Sequence, residues 1–115
     1  SIYKLNKRLN YNDTYIKIGA EIKENTEPDG LIIANQVNAS PQIFYYGQRK
    51  GWGVTLDHKL NPATLTEFVN KGARLYVMVG GNLEENDPEL NGFLKSRHQF
   101  LKKDDKITLF KLIPQ

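Results

Sequence analysis

The chain reads as a small α/β protein, a Rossmann-like three-layer sandwich with a mostly parallel sheet and a C-terminal edge strand. Three observations predict this architecture. Short uninterrupted apolar runs at Leu31–Ala34 and Leu75–Val79 have the pattern of strands covered on both faces, which parallel sheets produce. Segments with apolar residues three and four apart alternate with those runs, the order expected of βα units. A cap-then-proline pair recurs at Ser40-Pro41, Asn61-Pro62 and Asp87-Pro88. Each marks a helix start, because the polar side chain accepts from an orphan amide and proline needs no amide partner in the first turn.

Residues 1–10 mix cations with Ile2, Tyr3, Leu5 and Leu9 without a period and read as a lead-in to a single domain over 11–115. Asn12 or Asp13 can cap a first helix whose stripe is Tyr15, Ile18 and Ile22, ending near Asn25. Thr26-Glu27-Pro28-Asp29-Gly30 is turn chemistry, since proline stops the helix and glycine tolerates positive φ. The strand Leu31–Ala34 follows, then a polar loop over Asn35–Ala39. The stretch Ser40–Trp52 reads as a capped helix closing at Gly51, with Tyr45 and Arg49 on one face and Tyr46 and Lys50 on the next, because residues four apart are helical neighbours.

Val54–Leu56 is a short strand candidate. Leu60 and Leu65 are spaced to staple the helix that starts at Asn61-Pro62 and ends at Gly72. Leu75–Val79 is terminated by Gly80-Gly81. The next helix carries Leu90, Phe93, Leu94, Arg97 and Leu101 at helical spacing. The run Ile107–Ile113, β-branched and aromatic and stopped by Pro114, predicts an edge strand.

Composition narrows the function classes. The 115 residues are 39% hydrophobic and 25% charged, within the range of a single folded domain. A net charge of +3 scattered along the chain predicts no nucleic-acid partner, which would call for a basic stripe. Zero cysteines exclude disulfides, thiolate metal sites and cysteine nucleophiles. The chain begins at Ser1 rather than methionine, the pattern of a processed or excised segment.

Dinucleotide, P-loop, nucleophile-elbow and zincin motifs are missing from the sequence, and Asp57, His58 and His98 have no ligand spacing, so no catalytic residue, cofactor or metal site is expected. The acidic cluster Glu84-Glu85-Asn86-Asp87 lacks the alternation of a calcium loop and suits a helix N-terminus.

Two regions remain as binding candidates. Ligands of open α/β sheets bind beyond the carboxyl ends of the strands, which selects Asn35, Gln36 and Asn38 after the first strand and Gly80 and Gly81 after the second. Backbone satisfaction and turn formation account for the same residue types. The other region is Tyr45, Arg49, Lys50 and Trp52, where aromatics could stack on a sugar while cations meet phosphate. Packing accounts for Ile43 and Tyr46.

The phrases Ile22-Lys23-Glu24-Asn25-Thr26 and Tyr45-Tyr46 with Arg49-Lys50-Gly51-Trp52, with a looser echo over Gly72–Val79, resemble the soluble C-terminal region of bacterial membrane glycosyltransferases related to the dolichyl-phosphate-mannose protein mannosyltransferases. The likeness is concentrated in residues 20–52. Ser40 departs from it, standing where the family pattern has an asparagine or a similar residue. The resemblance implies a polytopic parent that transfers a sugar from a polyprenyl-phosphate donor, with this domain on the extracytoplasmic side of the bacterial cell membrane. The partners it implies are the membrane portion of the same polypeptide and the polyprenyl-phosphate sugar or its acceptor. It supplies no catalytic residue here. A stand-alone domain binding a nucleotide or sugar phosphate, or a protein interaction module, are the alternatives.

Overall fold

A computed structural model describes residues 15–36, 42–55, 60–80, 83–104 and 107–114. The elements are α1 (helical residues 15–25), β1 (Leu31–Gln36), α2 (Gln42–Gly47), β2 (Gly51–Thr55), α3 (Pro62–Asn70), β3 (Ala73–Val79), α4 (Leu83–Asn86), α5 (Pro88–Arg97), β4 (Gln99–Lys103) and β5 (Ile107–Lys111). They form an α/β fold around one five-stranded sheet ordered β2-β1-β3-β5-β4.

That sheet is mixed, which corrects the expectation of a mostly parallel one. β1 pairs in parallel with β2 and β3, but β5 is antiparallel to both β3 and β4. The C-terminal strand is also not an edge: β5 lies between β3 and β4, and its burial on both faces explains its continuous apolar run. The edges are β2 and β4. β4 occupies residues expected to extend the last helix, which instead ends at Arg97 with His98 as its C-cap in extended conformation. Asp104 accepts the Ile107 amide through its side chain and so turns β4 into β5, a local device that outweighs the helical spacing of Leu101.

Successive strand residues point to opposite faces, so the sheet is covered through two cores. Ile33, Tyr76, Met78 and Phe110 meet Leu65 and Val69 of α3 and Leu90 and Leu94 of α5. Ile32, Ala34, Leu75, Val77 and Leu109 meet Ile18 and Ile22 of α1 and Ile43 of α2. Two helix starts form as expected: Asn61 Oδ1 accepts the Thr64 amide at 2.8 Å and Asp87 Oδ1 accepts the Leu90 amide at 3.2 Å. Leu60 and Leu65 are both buried in one core, as a staple across the first of these caps requires. The Ser40-Pro41 cap lies outside the described residues.

The helix after it is shorter than expected. α2 stops at Gly47, and Gln48 at φ 52° swings the chain into β2, so Arg49 and Lys50 sit in a connection and the predicted helical pairs with Tyr45 and Tyr46 do not form. α1 packs closely on α2 just before the stop. A β-carbon on Gly19 would lie 2.5 Å from the Tyr46 carbonyl oxygen, and one on Gly47 would press on Ile22 at 3.1 Å.

Candidate functional site

The parallel strands β1, β2 and β3 end level with one another, Gln36 facing Thr55 on one side and Val79 on the other. Asn35 and Gln36, expected in a loop, are the last residues of β1 and are buried. The Asn35 amide nitrogen donates to the Tyr76 hydroxyl at 2.6 Å, while its oxygen is buried without a partner. Tyr76 is fully buried on β3, and its phenol titrates far above the ordinary tyrosine value: burial is the main cause, the Asn35 hydrogen bond opposes it, and the Asp87 carboxylate adds to it. The pair is therefore neutral at physiological pH. Its one unfilled acceptor is enclosed within the fold just below the carboxyl end of the strands, where an open α/β sheet binds ligands.

Gly80 follows β3 at φ 73°, and a β-carbon there would meet nothing within 4 Å, so its glycine is explained by backbone conformation rather than by a closely approaching group. Asn38 and Gly81 lie outside the described residues. Tyr76 was not singled out by sequence reasoning; its signal is a hydroxyl-bearing residue inside the otherwise aliphatic run Leu75–Val79.

The aromatic and cationic candidates do not join this group. β2 begins where Gly51 faces Ile32, near the start of β1, so Arg49 and Lys50 lie at the amino end of the parallel strands, opposite Asn35 and Gly80. Arg49 is engaged internally. Its Nε donates to Thr26 Oγ1 at 3.0 Å, its Nη2 to the Thr26 carbonyl at 2.9 Å, and its Nη1 to the Gln48 carbonyl at 3.0 Å. A longer contact reaches the Lys23 carbonyl at 3.5 Å.

The guanidinium thus caps the C-terminal end of α1, where orphan carbonyls and the negative pole of the helix favour a cation. Thr26 and Asn25 complete that end by donating to the Ile22 and Glu21 carbonyls. Trp52 is half-buried and stacks on Phe68 of α3 with ring centroids 4.6 Å apart and planes 15° from parallel. Lys50 is exposed, and its carbonyl accepts the Ile32 amide. Tyr45 is 75% exposed and sits edge-on to Tyr46, which stacks in turn on Tyr15.

A cavity of about 630 Å³ opens at that same amino end. Glu24, Glu27 and Asp29 line it with Arg74 and Lys111, a mixed-charge lining that sequence reasoning did not assemble because its parts are spread from residue 24 to residue 111. His98, read from the sequence as isolated, is buried: its Nδ1 accepts the Ile113 amide at 2.9 Å, and its Nε2 is buried without a partner. Burial, helped by Arg97, holds its pKa below the ordinary histidine value. Among the described residues no group of three or more acidic or histidine side chains could hold a metal ion. Among the same residues no helix is long and apolar enough to cross a membrane.

No family model, curated protein or solved structure matches this chain.

Proposed function

We propose that the chain is a non-catalytic extracytoplasmic domain of a polytopic bacterial membrane glycosyltransferase that uses a polyprenyl-phosphate sugar, with its sheet layered between helices in the Rossmann-like manner. One observation carries the reading. The two phrases on which the family likeness rests, twenty-odd residues apart in sequence, meet as one structural joint in which Arg49 holds Thr26. That contact gives residues from both phrases one common structural role at the amino end of the parallel strands. In this reading the motif is architecture: Arg49 and Gly51 fix how α1 and β2 meet, and the membrane portion of the same polypeptide supplies the reacting groups.

The test is the gene. The reading frame upstream of Ser1 is expected to encode several apolar stretches of roughly 20 residues each, and a frame without them sinks the proposal. Purified alone, the chain is expected to transfer no sugar from a polyprenyl-phosphate donor; measurable turnover would overturn the non-catalytic assignment. A second reading, a nucleotide or sugar-phosphate site at the carboxyl end of the strands, is favoured by the unpartnered Asn35 oxygen. Calorimetry with those ligands decides it, with Asn35→Leu as the control and absence of heat as the refuting result.

A further inference from the structure

We propose that the cavity between α4, α5 and the β4–β5 pair binds a single pyranose sugar. The cavity measures about 290 Å³ and is lined by Leu83, Asn91, Phe100, Thr108 and Phe110 with a charged rim. It lies at the lower limit of ligand pockets, roughly 300 to 1,000 Å³, which suits one ring rather than a nucleotide.

Its floor is aromatic and its rim is polar. Phe100 on the edge strand β4 is 48% exposed and meets the buried Phe110 edge-on, with centroids 5.5 Å apart and planes 71° from parallel. Phe110 is fully buried beneath it, so Phe100 alone offers a ring face to the cavity. A sugar ring can lay the C–H groups of one face on such a ring, and the size of the cavity excludes a nucleotide.

Around the floor, Glu84 Oε1 is shared by Lys95 Nζ at 3.4 Å and Lys103 Nζ at 3.8 Å, so α4, α5 and β4 each contribute one charged group to a single network. Asn91 adds an amide, and Thr108, 5% exposed, adds a hydroxyl; no hydrogen bond to either side chain is seen among the described residues. An apolar floor with acceptors and donors of both kinds at its margin is complementary to a sugar, which carries hydroxyls at its equator and C–H groups above and below. A protein anchor would leave the Glu84, Lys95 and Lys103 charges desolvated at its edge.

The inference does not rest on the membrane reading, and its experiment uses the chain as it stands. Titration of the ¹⁵N-labelled chain with methyl β-D-glucopyranoside is expected to give saturable amide shifts at Asn91, Phe100 and Thr108, with a dissociation constant on the order of millimolar. Phe100→Ala is expected to weaken binding on the order of tenfold. Phe100→Leu, which keeps an apolar contact with Phe110 but removes the aromatic face, is expected to weaken it similarly and guards against a folding artefact. Shifts that do not saturate, shifts confined to other parts of the fold, unchanged affinity in both variants, or adenosine binding at the same residues in place of the glycoside would each overturn the proposal.

Discussion

Replacing Arg49 by alanine removes the group that ties the end of α1 to the α2–β2 connection. Three of its hydrogen bonds are 3.0 Å or shorter, two to Thr26 and one to the Gln48 carbonyl. Bonds to a charged donor contribute about 1.5 to 3 kcal/mol each when buried, but Arg49 is half-exposed, so water replaces part of what is lost. Counting about 1 kcal/mol for each of the two part-buried bonds to Thr26, and little for the exposed one to Gln48, gives about 2 kcal/mol, a sizeable share of the roughly 5 to 15 kcal/mol that holds a domain together. The expected loss in Tm is on the order of 10 °C.

Trp52 is the chain's single tryptophan and is stacked on Phe68, so its fluorescence reports urea unfolding directly. Arg49→Lys keeps the charge but cannot serve Thr26 through two nitrogens at once, and is expected to recover less than half of the loss. A double cycle with Thr26→Ala should give a coupling of about 1 kcal/mol or more. A loss below about 0.5 kcal/mol for Arg49→Ala, the ordinary range of a surface substitution, would refute the joint.

Other outcomes follow from the same packing. Gly51 has φ 153° and a β-carbon there would lie 1.8 Å from the Ile32 carbonyl oxygen, so Gly51→Ala is expected to detach β2 and cost about 3 kcal/mol or more, read as a lower urea midpoint. Phe68→Ala should cost about 2 to 4 kcal/mol by opening the stack on Trp52, and should red-shift the Trp52 emission; an unchanged spectrum would contradict the stack. His98 gives a pH dependence. Its folded pKa lies below the ordinary value because burial disfavours the charged ring, so its contribution is complete above about pH 6.5 and is lost as pH falls through the folded pKa. Urea midpoints should therefore drop on acidification below about pH 6.5, and the His98→Gln variant should lose that part of the slope.

Much of the architecture was legible because it is written in local chemistry. The Asn61-Pro62 and Asp87-Pro88 starts use side-chain oxygens four residues or fewer from their targets, and strands β1 and β3 are apolar on both faces because both faces are covered. The failures share a cause, competition from non-local packing or a turn. Leu101 is at helical spacing from Leu94 and Arg97, but Asp104 turns the chain back on Ile107 and makes residues 99–103 a strand. β5 looked like an edge because Pro114 stops its run, whereas strand order depends on β4 adding outside it. Of the candidate site, Asn35 and Gly80 were placed at the strand ends, but the Tyr76 hydroxyl that orients Asn35 is 41 residues away and no spacing announces it.

The position of Arg49 changes what the motif can be evidence for. A cation four residues from a tyrosine, read on a helix, suggests a surface offered to a phosphate. The same cation, bound to Thr26 and its carbonyl, has its donors directed inward and caps a helix instead. Gly47 and Gly51 are likewise explained by contacts with Ile22 and Ile32, and Trp52 by Phe68. Only Tyr45 and Lys50 of the aromatic and cationic set are left facing solvent. A protein that shares these phrases is therefore expected to share the α1–α2–β2 joint, and need not share a ligand. Chemistry is better sought where the structure leaves a polar group unfilled or an aromatic ring uncovered: at Asn35 beneath the strand ends, and at Phe100 above the edge of the sheet. Arg49→Ala is for the same reason a poor control for ligand binding, because a lost signal would report the loosened joint rather than a missing contact. Tyr45→Ala and Lys50→Gln are the variants that separate the two, since both side chains are exposed and their removal is expected to leave stability within about 0.5 kcal/mol.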